Sequence, residues 1–141
     1  MKRPIIQDKN FLKQKSDIIT DRNEINAIIK DLEDSLDIKK GFGLSAIQIG
    51  IKKQISIIRH QNLNINLINA IIIEKNKYFR FTGEGCLSFP GLYIDTKRYS
   101  DIVFENEGKQ YAVEGIEAIV IQHELDHCQG LTMFDRKWRA K

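Results

Sequence analysis

The amino-acid sequence predicts an α+β fold, and three observations predict it. Residues 21–36 carry apolar side chains at helical spacing, the middle of the chain holds Ile-rich extended segments broken by turn residues, and residues 115–128 form a second helical stretch. Helix, several strands, then helix is the order of an α+β protein rather than of alternating βαβ units.

The first helix is capped by Thr20-Asp21 and runs to about Leu36, with Ile25, Ile28, Ile29, Leu32 and Leu36 as its apolar stripe. Residues 53–59 and 65–73 read as strands, and 78–82 and 93–97 as shorter ones. Residues 101–105 and 109–113 flank Asn106-Glu107-Gly108, a hairpin turn. The last helix spans residues 115–128. Ile116, Ile119 and Val120 lead at helical spacing into His123 and His127, while Ala118, Ile121 and Leu125 make the other side apolar. Such a helix is expected to be buried on most faces, and Gly130 is its natural stop.

A chain of 141 residues is expected to form one domain, residues 1–141, with a single core. Lys plus Arg number 22 against 19 Asp plus Glu, an excess of three that does not imply a specific nucleic-acid partner. Two cysteines without disulfide-like spacing suit a reducing compartment. Met1-Lys2-Arg3-Pro4 is basic but is not followed by an unbroken apolar stretch, and no apolar run approaches the roughly 18 residues of a membrane span. The expectation is a cytoplasmic protein with no membrane partner.

The most informative segment is His123-Glu124-Leu125-Asp126-His127. Two histidines four residues apart share one helix face, so their imidazoles can converge on one metal ion. A glutamate beside the first is then placed to take a proton from water on that metal. A buried histidine pair needs polar partners, and a metal supplies them. Cys128 follows His127 directly and is turned about 100° from its face. Cys86, in Gly83-Glu84-Gly85-Cys86-Leu87-Ser88-Phe89-Pro90-Gly91, is the better third ligand, with a buried structural thiol as the alternative. Gly41-Phe42-Gly43-Leu44-Ser45-Ala46-Ile47-Gln48 lacks the third glycine and the Lys-Ser/Thr of the common phosphate loops. By itself it reads as a close-packed turn with a surface glutamine.

Together GFGLSAIQ, EGCLS and QHELDHCQG, in this order, resemble the three motifs of the peptide deformylases. The resemblance runs from Gly41 to Gly130, about two-thirds of the chain. It implies antiparallel β sheets around a central metal-binding helix, and removal of the formyl group from N-terminal formyl-methionine of nascent polypeptides, with release of formate. Carried over residue by residue, Cys86, His123 and His127 bind the metal with water as fourth ligand. Glu124 is the general base, and Gln48 with the backbone N–H of Leu87 stabilises the oxyanion. Gly43 gives main-chain contacts to the substrate.

The ligand types alone favour Zn²⁺ by the general affinity order. The resemblance implies Fe²⁺ as the working ion, with Zn²⁺, Ni²⁺ or Co²⁺ as possible occupants of the purified protein.

Phe42, Ile116, Ile119 and Val120 flank the motif residues and are expected to line an apolar slot for methionine, with ordinary core packing as the alternative. Glu84 positions substrate or the metal loop, or is a turn carboxylate. Asp126 is read as a structural or supporting acid, and Lys97 and Arg98 as solvated strand residues.

Ser45 stands where the family usually has alanine, adding a hydroxyl near the oxyanion side, and Cys128 where leucine is common. Eleven residues follow Gly130. This ending resembles the short, phage-encoded members, which lack an extended C-terminal helix and act in the host cytoplasm. Its basic residues are read as a solvated tail, with a transient ribosome contact as the alternative. A monomer is expected. Two other classes stand beside deformylation: a peptidase-like zinc hydrolase, and an inactive, metal-stabilised binding domain.

Overall fold

The computed structural model describes residues 1–139; Ala140 and Lys141, the end of the expected domain, lie outside the described residues. A short α1 (Lys9–Leu12) is followed by α2 (Arg22–Ser35), whose first turn is closed by the Asp21 carboxylate accepting from the Asn23 N–H. Strands β1 (Gly43–Ser45), β2 (Ile55–His60) and β3 (Leu63–Ile68) form one antiparallel sheet. Strands β4 (Ile71–Gly85), β5 (Tyr93–Asn106) and β6 (Lys109–Glu114) form a second. The chain then enters α3 (Ile116–Cys128) and ends in a 3₁₀ turn at Met133–Arg136.

Strand β2 is central because both of its faces are covered. Ile55 and Ile57 pack with Ile25, Ile28 and Leu32 of α2 in one apolar cluster. Ile58 packs with Ala118, Ile121 and Leu125 of α3 in a second, which also takes in Ile102 and Phe104 of β5. A third, around Leu12, Ile47, Phe89 and Met133, closes over the turn that carries Cys86. The buried apolar side chains thus fall into three clusters, the first two on opposite faces of β2. From Ile121 to Cys128 every residue of α3 is buried, as its two-sided apolar pattern required.

Positive-φ residues mark the ends of elements where the backbone must reverse. Glu107 and Gly108, at φ 50° and 81°, join β5 to β6 in the expected tight hairpin. Gly130, at φ 77°, follows α3, and its Leu131 neighbour donates its N–H to the Asp126 carbonyl. A side chain at 130 would also run into the Lys13 carbonyl.

The segment 65–73, expected as one strand, is two. Asn69, at φ 52°, breaks it, and its side-chain amide bonds both the N–H and the carbonyl of Ile19. The segments 78–82 and 93–97 belong to a much longer β4–β5 ribbon than expected. Residues 73–80 of β4 are exposed, so nothing selects an alternating pattern there. A register shift between Phe81 and Glu84 adds one residue to β4 and turns Glu84 inward.

The second cluster depends on Phe104, which is fully buried and stacked on Tyr111 with ring centroids 5.1 Å apart. Phe104→Ala is expected to destabilise the protein by about 3–5 kcal/mol. Phe79→Ala, on the exposed ribbon, is expected to cost within about 1 kcal/mol. Chemical denaturation of both variants checks this; equal losses would contradict the placement of the core.

Candidate active site

Two elements bring the donor atoms together. Helix α3 presents His123 and His127 one turn apart, with their Nε2 atoms 3.3 Å from each other. The turn after β4 delivers Cys86, whose Sγ lies 3.5 Å from His127 Nε2. The ligand atoms of Cys86, His123 and His127 all fall within 4.8 Å of one another. One thiol and two imidazole nitrogens facing one point are a donor set that fits a four-coordinate transition metal with one open position. Burial holds the His127 pKa well below that of an ordinary histidine, which keeps its ring in the neutral, ligating form.

Glu84 sets how His123 meets that point. Its Oε2 is 2.7 Å from His123 Nδ1. In the neutral ring that a metal would require, a Nδ1–H donated there leaves the Nε2 lone pair facing His127 and Cys86. Glu84 is itself gripped: Arg98 donates from Nε to Oε1 at 2.7 Å and from Nη2 to Oε2 at 2.6 Å, and the Thr96 hydroxyl donates to Oε1 at 2.7 Å. Burial works against its ionisation, but the hydrogen bonds from Arg98 and His123 outweigh it and hold the carboxyl well below the usual range.

Arg98 corrects the sequence expectation. Its side chain is 2% exposed rather than solvated, and its Nη1 donates to Asp126 Oδ2 at 2.7 Å. The signal was present in the alternation of β5. Thr96, Arg98, Ile102 and Phe104 share one parity along the strand, and all four are buried. Asp126, read as a supporting acid, also accepts from Arg136 Nε at 3.1 Å and Nη2 at 3.0 Å. The described part of the tail is thus docked in part: Arg136 is bound to Asp126 and the Lys137 backbone bridges to Thr96 of β5, while Lys137 and Arg139 stay exposed.

Gln48 is buried rather than on the surface. Its Oε1 accepts the Ser45 N–H at 2.9 Å, which aims its amino group at Ser88 Oγ, 3.1 Å away, and Cys86 Sγ, 3.6 Å away. Glu124 is buried too. Burial raises its pKa above the ordinary carboxylate value, against the hydrogen bond that the Ser45 hydroxyl gives its Oε1 at 2.9 Å. The Ser45 hydroxyl therefore serves Glu124, not the oxyanion side as its place in the sequence suggested. The other oxygen lies by Gly43, where a built Cβ would come within 2.9 Å of it. Cys128 stays outside the cluster, its thiol pushed up to about 11 by burial.

These groups border a cavity of about 860 Å³. Of the residues singled out in the sequence, Phe42, Gly43, Gln48, Glu84, Cys86, Leu87, Ile116, Ile119, Val120, His123 and Glu124 all line it. His127 sits behind them, fully buried. The remaining histidine, His60, packs edge-on against Phe42 and takes no part in the cluster.

A sequence model of the family described as polypeptide deformylase matches residues 2–141. A peptide deformylase of Clostridium beijerinckii is 38% identical, over 93% of this chain and 98% of its own length. One from Aquifex aeolicus is 35% identical, over 91% and 82%. The crystal structure of peptide deformylase from Thermotoga maritima superposes with a TM-score of 0.87 at 27% identity, covering 99% of both chains. That of a Vibrio parahaemolyticus bacteriophage, solved in complex with actinonin, gives 0.84 at 27% identity, covering 92% of this chain and 98% of its own. The sequence match takes in the whole of the cavity and the helix beneath it, and the chain belongs to the polypeptide deformylase family.

Proposed function

We propose that this chain, as one domain over residues 1–141, removes the formyl group from the N-terminal formyl-methionine of nascent polypeptides through Cys86, His123, His127, Glu124 and Gln48. The observation that carries the reading is the convergence of Cys86, His123 and His127 on one point beside a cavity that Glu124 and Gln48 also border. A formamide is a poor electrophile, so its hydrolysis needs an activated water and a polarised carbonyl. A divalent cation held by the three ligands supplies both.

The side chains do the rest. Glu124 stands on the cavity wall with its Oε2 beside Gly43. There it takes a proton from the attacking water and returns it to the leaving amine. Gln48 Nε2 and the Leu87 N–H donate to the oxygen that gains charge on the formyl carbon. Gly43 leaves its backbone open to the substrate main chain. Phe42, Ile116, Ile119 and Val120 give the methionine side chain an apolar wall. The thiolate in the ligand set favours this reading over a peptidase, whose usual third ligand is His or Glu. Glu124 on the cavity wall speaks against a binding domain, which has no use for a base.

Fe²⁺ is the proposed working ion, with Zn²⁺, Ni²⁺ or Co²⁺ as occupants after purification. Metal analysis of anaerobic and aerobic preparations, with activity per metal, decides between them. No helix among the described residues is long and apolar enough to cross a membrane. The bacterial cytoplasm, where formylated chains emerge, is the proposed place of action, for a monomer. The likeness to both bacterial and phage relatives supports that setting. With Arg136 committed to Asp126, the exposed Lys137 and Arg139 are the proposed transient ribosome contact.

Formate release from formyl-Met-Ala-Ser tests the function. Glu124→Ala is expected to lower kcat by about 10²–10⁴, and Gln48→Ala by about 10²–10³. No formate from iron-loaded wild type would overturn the activity, and a released dipeptide would point to a peptidase. Glu84→Gln is expected to weaken metal binding by about 10–100-fold, read by chelator competition; unchanged affinity would detach Glu84 from the metal centre. Lys137→Ala combined with Arg139→Ala is expected to reduce co-pelleting with ribosomes, and equal pelleting would sink that contact.

A further inference from the structure

The antiparallel register of β1 on β2 sets Ser45 directly opposite Ser56. Both side chains are buried and face α3. Ser56 Oγ lies 3.5 Å from Cys128 Sγ and 2.6 Å from Ser45 Oγ, and Ser45 Oγ lies 2.9 Å from Glu124 Oε1. An unbroken polar chain thus runs from the last residue of α3, across two strands, to a carboxylate one turn back along the same helix.

Counting protons gives the chain a direction. The Ser45 hydroxyl has one hydrogen and three oxygens that compete for it: Ser56 Oγ, Glu124 Oε1 and, at 3.0 Å, the Glu124 carbonyl. The last two can only accept from it when Glu124 is ionised. Ser56 therefore donates to Ser45, and the thiol of Cys128 is free to donate to Ser56. The Ser45 proton goes to Glu124, where the carboxylate is the stronger of the two acceptors.

We propose that Ser45, backed by Ser56, is a positioning residue that locks the Glu124 side chain with Oε1 turned away from the cavity and Oε2 presented to it. This rests on the reading of Glu124 as proton carrier. Gly43 is the other half of the device. Its lack of a Cβ leaves the space that Oε2 occupies, since an added Cβ would meet Oε2 at 2.9 Å and the Glu124 Cγ at 3.0 Å. Three side-chain torsions of Glu124 are thereby fixed between a donor on one side and an open backbone on the other. A misplacement of the reacting group by about 1 Å costs up to about 10²-fold in rate.

The test is steady-state deformylation of formyl-Met-Ala-Ser by the full, metal-loaded chain. Ser45→Ala is expected to lower kcat about tenfold, with KM and metal content unchanged and a modest loss of stability from the Ser56 hydroxyl it strands. Ser56→Ala is expected to lower kcat by about threefold, and the double variant to be no slower than Ser45→Ala alone, because Ser56 acts through Ser45. A kcat for Ser45→Ala close to the wild-type value, or a lower stability with unchanged kcat, would reduce the chain to ordinary satisfaction of buried hydroxyls. Multiplying effects in the double variant would overturn the relay as well. Glu124→Ala, assayed in parallel, separates the two readings. Loss of activity there beside full activity in Ser45→Ala sinks the positioning role alone, whereas an active Glu124→Ala sinks both.

Discussion

A guanidinium that is 2% exposed has lost its water and must find fixed anions, and much of this site is built around that requirement. Arg98 is answered by Glu84 from the bulged end of β4 and by Asp126 from α3. Asp126 in turn holds Arg136 of the last turn. Four segments distant in sequence are pinned by one cluster of charges. Buried ion pairs add little net stability, because desolvation offsets the attraction, whereas removing one partner leaves a stranded charge at about 3–5 kcal/mol. What the cluster contributes here is geometry. It allows only one arrangement of β4, β5 and α3, and in that arrangement Glu84 meets His123.

Apolar packing supplies the stability that the charges do not. Ile55 and Ile57 on one face of β2, and Ile58 on the other, are wholly buried, which clamps the strand between the two long helices. The position between them, Ser56, faces α3 with Ile58, so the same alternation that packs the core carries a hydroxyl toward the site. Polar groups reach the Cys86, His123 and His127 cluster by standing in register with apolar neighbours. Each is then fixed by a hydrogen bond: Gln48 by the Ser45 N–H, His123 by Glu84, Glu124 by the Ser45 hydroxyl.

The clustering of His123 and His127 was legible in the sequence because the relation between them is local. Four residues of helix suffice to place both rings on one face. The ends of α2 and α3 were equally legible from Asp21 and Gly130, whose chemistry is that of the cap itself. Arg98 was not, since an arginine in a polar stretch is ordinarily solvated, and only its alternation with Phe104 betrayed an inward position. The β4 ribbon was read as fragments because its outer half is exposed on both faces and bears no periodic signal. The break at Asn69 depends on Ile19, fifty residues away, and no local pattern announces it. The role of the Ser45 hydroxyl was likewise hidden, because its partners lie on β2 and α3.

The two glutamates beside His123 show how environment divides labour between identical side chains. Glu84 accepts from Arg98, Thr96 and His123, and these bonds overcome burial to keep it ionised. It has no capacity left to carry a proton through a reaction. Glu124, equally buried, receives one side-chain hydrogen bond, from Ser45, and burial leaves its proton affinity raised. A carboxylate that is destabilised as an anion, with one oxygen uncommitted beside Gly43 at the cavity wall, is suited to take up a proton and release it again. Exchanging the two residues' partners would exchange their roles. The contrast between the two carboxylates therefore follows from which strand supplies the arginine and which supplies the serine.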